Sequence, residues 1–282
     1  MNTPPTQGYE AYLGKNVRLA ECTSSIPQSS SRWLNNAMVR EVLPIWLLRK
    51  NGPDFPVEAD HTLGLQAAFN EVLPEAEASA LFMEELKINP ALARHVEKSR
   101  APAWSNGQFL GYPPGTVGGI MGHQIREHGF DLTLGMGPVP DDLTPFQHFR
   151  RCARLVHDFE HIVTGGQFTS IGEIVVTMAR VANMTEHLSP KLASAVNAYQ
   201  AFSGLRMFTR ALLHYPEAFA TALKCVEQGI NVGRNSPPFW EFRWDEVFDM
   251  TPAEARRDFG MPEVDFIESQ RDEAIFRELL AV

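Results

Sequence analysis

HDFEHIVTGGQFTSIGEIVV, residues 157–176, is the stretch on which the reading of this chain turns. His157 and His161 stand four apart with Asp158 between them, and Glu173 follows after eleven intervening residues. On a helix turning about 100° per residue, the two histidines lie about 40° apart and one turn along the axis, so both can reach one point. That geometry lets a HExxH helix hold zinc. Asp158 sits on the same side, about 60° round from His161. It is a candidate third ligand, an acceptor that orients an imidazole, or a general base. Thr164, Gly165 and Gly166 stop the helix, because glycine accepts the left-handed backbone of a helix C-terminus. A second helix is predicted over about 171–188. An antiparallel pair would return Glu173 to His161. Two imidazoles with one or two carboxylates suit Zn²⁺, Fe²⁺ or Co²⁺ better than Ca²⁺ or Mg²⁺. The same residues admit a second reading. Ser170-Ile171-Gly172-Glu173 fits a capping box, with Asp158 and Glu160 as surface residues and His157 as a half-buried structural imidazole. Spacing alone leaves both open.

Outward from this stretch the patterns are helical. PFQHFRRCARLVHDFEHIV predicts one helix over 145–163, with Phe149, Cys152, Ala153, Val156 and Val163 as its apolar stripe. Further helices are predicted over 32–50, with Pro44 as a break or kink, over 74–89 between two prolines, and over 190–213 and 215–229. ALARHVEKS, PAEARRDFG and DFIESQRDEAIFRELL read as shorter ones. Glycine and proline crowd residues 102–145, which implies long loops with one short helix near HQIREH. GRNSPPFWEFRWDEVFDM, residues 233–250, reads as an extended aromatic segment. No period-2 strand stands out, and the β-branched start of EIVVTMARVA has helical flanks. The expected class is all-α: residues 31–282 form a single domain with long Gly/Pro-rich loops, and a Pro/Ser-rich stretch over 1–30 forms a flexible N-terminal arm.

Composition bounds the function. The chain has 282 residues, 44% of them hydrophobic, so a sizeable core is expected. With 25 basic and 34 acidic residues its formal charge is −9, which argues against nucleic acid as a ligand. Cys22, Cys152 and Cys225 are scattered and in no CxxC pair, which points to a reducing, cytoplasmic compartment. Cys152 reads as a small buried hydrophobe. The N-terminal residues lack the basic flank and apolar run of a signal peptide, and no window is apolar over 18 residues, as a membrane span requires.

Three blocks in order resemble the Coq4 family of ubiquinone-biosynthesis proteins. His157, Asp158, His161 and Glu173 fill its H-D-x-x-H-x11-E signature, with Gly172 and Ile174–Val176 around the glutamate and Arg154 just upstream. YPPGTVGG supplies Pro113, Gly115, Thr116 and Gly118, and PPFWEFRWDEVFDMTPAEARRDFGMP resembles the C-terminal block. The resemblance implies an all-α fold and a divalent metal on His157, Asp158, His161 and Glu173, zinc foremost, with iron or cobalt as alternatives. It also implies a metal-dependent carbon–carbon lyase of the oxidative decarboxylase type, acting on a hydroxylated, prenylated aromatic ring in ubiquinone biosynthesis. Replacing a carboxyl by a hydroxyl also needs an oxidant, which the residues do not identify.

Two segments, 123–143 and 177–200, depart from the family pattern, as in a divergent member. They imply an alternative: a lyase of a smaller, soluble phenolic in aromatic catabolism. A second alternative, of another class, is a lipid-binding scaffold with a structural metal. Expected partners are a phenolic small molecule, prenylated or not, a peripheral contact with the inner membrane, and a second copy of the chain as a homodimer. His123 and His128 are candidate substrate contacts. Trp240, Phe242 and Trp244 are candidate walls of an aromatic pocket, or packing between helices. Among Arg126, Arg150 and Arg154, Arg154 is the foremost candidate catalytic group with Asp158, because it lies one turn before His157.

Overall fold

The computed structural model describes residues 29–50, 58–98, 102–132, 139–140, 142–265, 267 and 269–277, with the side chains of 58–63 left aside. The arm expected over 1–30 falls almost entirely outside the described residues, as does Cys22. The described residues form no strand. They fold into α1 (Arg32–Asn35), α2 (Ala37–Leu48), α3 (Glu58–Val72), α4 (Glu75–Ile88), α5 (Pro90–Lys98), α6 (Asn106–Phe109), α7 (Val117–His128), α8 (Pro145–Leu155), α9 (His157–Thr164), α10 (Glu173–His187), α11 (Pro190–His214), α12 (Pro216–Arg234), α13 (Pro252–Phe259) and α14 (Gln270–Phe276). Two 3₁₀ turns, Phe239–Glu241 and Trp244–Glu246, lie between α12 and α13. No described helix is long and apolar enough to cross a membrane.

The β-branched run at 174–177 is helical because α10 is the inner helix of the fold. Ile174, Val175, Val176, Thr177, Met178, Ala179, Ala182 and Asn183 are all buried, and a helix apolar all round belongs inside a core. α11 and α12 pack along it, and glycines set the spacing. A Cβ on Gly229 of α12 would meet the Val175 carbonyl oxygen at 2.5 Å and Met178 Cβ at 2.7 Å. One turn later, a Cβ on Gly233 would press on the Ala179 carbonyl. α9 turns its other face, Phe159, Ile162 and Val163, into a separate aromatic cluster with Phe109, Trp244 and Phe248. Phe159 lies 5.3 Å from the Phe109 ring and 5.2 Å from that of Phe248.

Asn183 ties α10 to the aromatic segment. Its amide donates to the carbonyls of Gly233 and Pro237, each at 3.0 Å, and its oxygen accepts from the Phe239 amide at 3.0 Å. The segment expected to be extended over 233–250 is therefore drawn into a helix end and two 3₁₀ turns. The glycine-rich block is also more helical than expected. α7 begins at Val117, with Thr116 accepting from the Gly119 amide at 3.0 Å. Its early amides reach back to the aromatic segment, Val117 to Met250 at 2.8 Å and Gly118 to Phe248 at 2.9 Å. Residues 58–72, to which the sequence reading gave no element, form α3. Pro44 lies inside α2 and does not end it.

Gly229→Ala tests the spacing of α10 and α12. Helix propensity alone would make this change stabilising by about 1 kcal/mol. Crowding of the Val175 carbonyl outweighs that, and a net loss of ~1–3 kcal/mol is expected in urea unfolding. An unchanged midpoint would show that the two helices separate freely.

Candidate metal centre

α8 and α9 were expected as one helix over 145–163, but the chain breaks at Val156, one residue before His157. α9 then ends at Gly165, whose φ of 79° is left-handed and costs a glycine little. The chain folds back and α10 starts at Glu173 itself. The capping box on Ser170 does not form. The Thr169 hydroxyl accepts from the Gly172 amide at 2.9 Å instead, and the Glu173 side chain is left to turn toward α9.

There one oxygen of Glu173, Oε2, lies 3.0 Å from His161 Nε2 and 3.2 Å from His157 Nε2. Ligand atoms of these three residues all lie within 4.8 Å of one another. His161 is buried, while His157 and Glu173 keep some exposure. His161 Nδ1 lies 3.0 Å from the Gln167 carbonyl, which has no proton to give, so Nδ1 carries the hydrogen. In a neutral His161 that leaves the Nε2 lone pair facing a carboxylate oxygen. The contact is repulsive unless a proton or a cation stands between them. Two ligands held tetrahedrally by zinc at about 2.0–2.1 Å are about 3.3 Å apart. The two spacings to Glu173 are close to this, and the donor set fits a divalent cation. Phe168 stacks on the His161 ring at 5.0 Å and fixes its plane.

The charges agree. Burial alone would disfavour a charged His157, but the adjacent Glu173 carboxylate outweighs it, and His157 titrates above its ordinary value. Burial would likewise raise Glu173, yet His157 and His161 hold it well below the usual carboxylate range. His157 Nδ1 is buried without a hydrogen-bond partner, so Nε2 is the nitrogen fixed by the surroundings.

Two cavities share this centre. A large one of about 1010 Å³ includes His157, Glu173, Arg154, Trp240, Phe242 and Trp244 in its lining. A smaller one of about 380 Å³ is lined by His157, Asp158, His161, Phe168 and Glu173, among others. The structure brings together three of the four expected ligands; Asp158 lines the smaller cavity and lies outside the three-residue cluster. Arg150 lines the large cavity and pairs with Glu75 at 3.3 Å. His123 and His128 are exposed on α7 and line neither cavity, and Arg126 donates to the Leu110 carbonyl at 3.3 Å. Cys152 is half-buried in the large cavity's wall, with Sγ 3.5 Å from His148 Nε2, and Cys225 is buried.

The sequence offers Glu160 only as a surface residue of the alternative reading and does not single out Arg180. Glu160 is 2% exposed and Arg180 7% exposed; they form an ion pair that also lines the large cavity. The signal was present: Arg180 follows Glu173 by seven residues, about 20° from it around the helix.

No protein-family model matches this chain. It is 27% identical over 153 residues to the mitochondrial ubiquinone biosynthesis protein coq4 of Botryotinia fuckeliana (strain B05.10), a match covering 53% of this chain and 48% of that protein. The chain thus spans about half the length of the curated relative it matches. The crystal structure of a candidate ubiquinone biosynthesis protein from Nostoc punctiforme PCC 73102 shares the fold. Its TM-score is 0.52 at 19% identity, over 71% of this chain and 87% of that one. The sequence match bears out the Coq4 resemblance read from the motifs.

A raised His157 has a measurable consequence. A divalent ion must displace its proton, so binding near neutral pH should release protons, and affinity should fall as pH drops below the His157 pKa. Calorimetry of Zn²⁺ binding in two buffers of different ionisation enthalpy reads the release directly. Identical heats in both would show that His157 is already neutral.

Proposed function

We propose that this Coq4-like chain is a metal-dependent enzyme of ubiquinone biosynthesis that cleaves a carbon–carbon bond, by decarboxylation, on a hydroxylated aromatic ring. The observation that carries this reading is the convergence of His157, His161 and Glu173, of which His157 and Glu173 line a cavity of about 1010 Å³. That volume is at the upper end of small-molecule sites and exceeds what a single ring needs. It favours a prenylated ring over a smaller soluble phenolic. The lining includes Phe146, Phe149, Phe239, Trp240 and Trp244, which suit an aromatic or polyisoprenoid ligand.

His157, His161 and Glu173 would hold the ion, zinc by preference for this donor set, with iron or cobalt as alternatives. Bound there, it would act as a Lewis acid toward a phenolate or carboxylate oxygen. Arg150 and Arg154 line the same cavity and favour an anionic ring substituent. Loss of the carboxyl group as CO₂ breaks the ring–carboxyl bond and leaves its electron pair on the ring carbon, which then takes a proton. Asp158 lines the smaller cavity, on the other side of the centre, so it would exchange that proton by way of His157, which lines both cavities, and not with the ring directly. Aromatic walls exclude water and strengthen each of these charge interactions. Hydroxylation at the vacated carbon would be a separate oxidation requiring its own oxidant.

The competing reading is a carrier of quinone intermediates in which the metal is structural, and the size of the cavity favours it equally. CO₂ release from prenylated and unprenylated 4-hydroxybenzoate-type substrates by the metal-loaded protein separates the two. We expect turnover on the prenylated substrate, and a fall of about 10²-fold or more in folded His157→Ala and Glu173→Ala. Prenylated lipid that stays bound after metal removal, with no turnover in the loaded protein, would establish the carrier.

A further inference from the structure

α8 and α9 would be one helix but for Val156, whose φ of −93° and ψ of −4° interrupt it immediately before His157. In an unbroken helix the Ala153 carbonyl would accept the amide of His157, four residues on. Here the Arg180 guanidinium takes that place. Nη2 donates to the Ala153 carbonyl and Nε donates to the Glu160 carboxylate. A guanidinium holds its donors in a rigid planar fork. One side chain of α10 therefore grips the last turn of α8 and the first turn of α9 together. Glu173, on the same face of α10, meets His157 and His161.

We infer that Arg180 is a positioning residue for the metal centre. By closing the carbonyl freed at the Val156 break and holding Glu160, it sets the direction in which α9 presents its two imidazoles to Glu173. The inference rests on the metal-binding reading above. Stability alone does not account for the pair, since a buried ion pair can often be exchanged for apolar side chains of similar volume at little loss. Two apolar side chains would fill the space but could not close the Ala153 carbonyl. The junction of α8 and α9 would then be free to straighten or swing, and His157 is the next residue along.

Co²⁺ serves as the probe, because its visible absorption reports ligand geometry independently of turnover. The double variant Arg180→Met/Glu160→Met removes the fork without stranding a buried charge. We expect it to fold by circular dichroism, to bind Co²⁺ about 10–100-fold more weakly, and to show a shifted visible spectrum. A folded double variant with the parent's affinity and spectrum overturns the inference. Should the double variant not fold, Arg180→Lys decides. It keeps the positive charge beside Glu160 but not the fork, so weaker binding with a shifted spectrum supports the positioning role, and parental behaviour overturns it. A parent chain that binds no Co²⁺ overturns the metal-centre reading and this inference with it, a result distinct from a loss confined to the variants.

Discussion

A carboxylate at the start of a helix buried on nearly every side must be neutralised by its neighbours, and in this fold the neighbours of Glu173 are two imidazoles from the preceding helix. The surroundings serve that meeting. Gly165 reverses the chain so that α9 and α10 can face each other. The glycines of α12 let α10 sit deep in the core. The aromatic cluster behind Phe159 holds the other face of α9. Without a cation or a proton between them, His161 and Glu173 would repel across 3.0 Å. The arrangement is therefore one that a proton or a cation completes.

Much of this was legible because it depends on period and backbone. Two histidines four apart share a helix face whatever surrounds them, and a double glycine ends a helix by its own conformational freedom. The helical class, the antiparallel return and the meeting of His157, His161 and Glu173 follow from those rules; the fourth expected ligand, Asp158, lies outside the cluster. The capping-box alternative failed for a local reason. A threonine one place before Ser170 took the amide at the helix start, which left Glu173 unclaimed.

What was not legible depends on partners distant in sequence. Nothing about valine announces a break at Val156; the break shows in the Arg180 fork that spans it. Glu160 looks like a solvated acid until α10 is laid beside it. The aromatic segment after α12 carries no helical period, and its 3₁₀ turns are drawn in by Asn183, more than fifty residues earlier. His123 and His128 lie on the outer side of a helix whose small residues, Gly118, Gly119 and Gly122, face inward.

His157 and Glu173 belong to the walls of both cavities. A ligand bulky enough to occupy the aromatic chamber would thus meet the centre from one side only, leaving its opposite flank reachable by water and small solutes. Such a partition separates an oily approach from a wet one, so that loading of a hydrophobic molecule and exchange of protons need not compete for a common entrance.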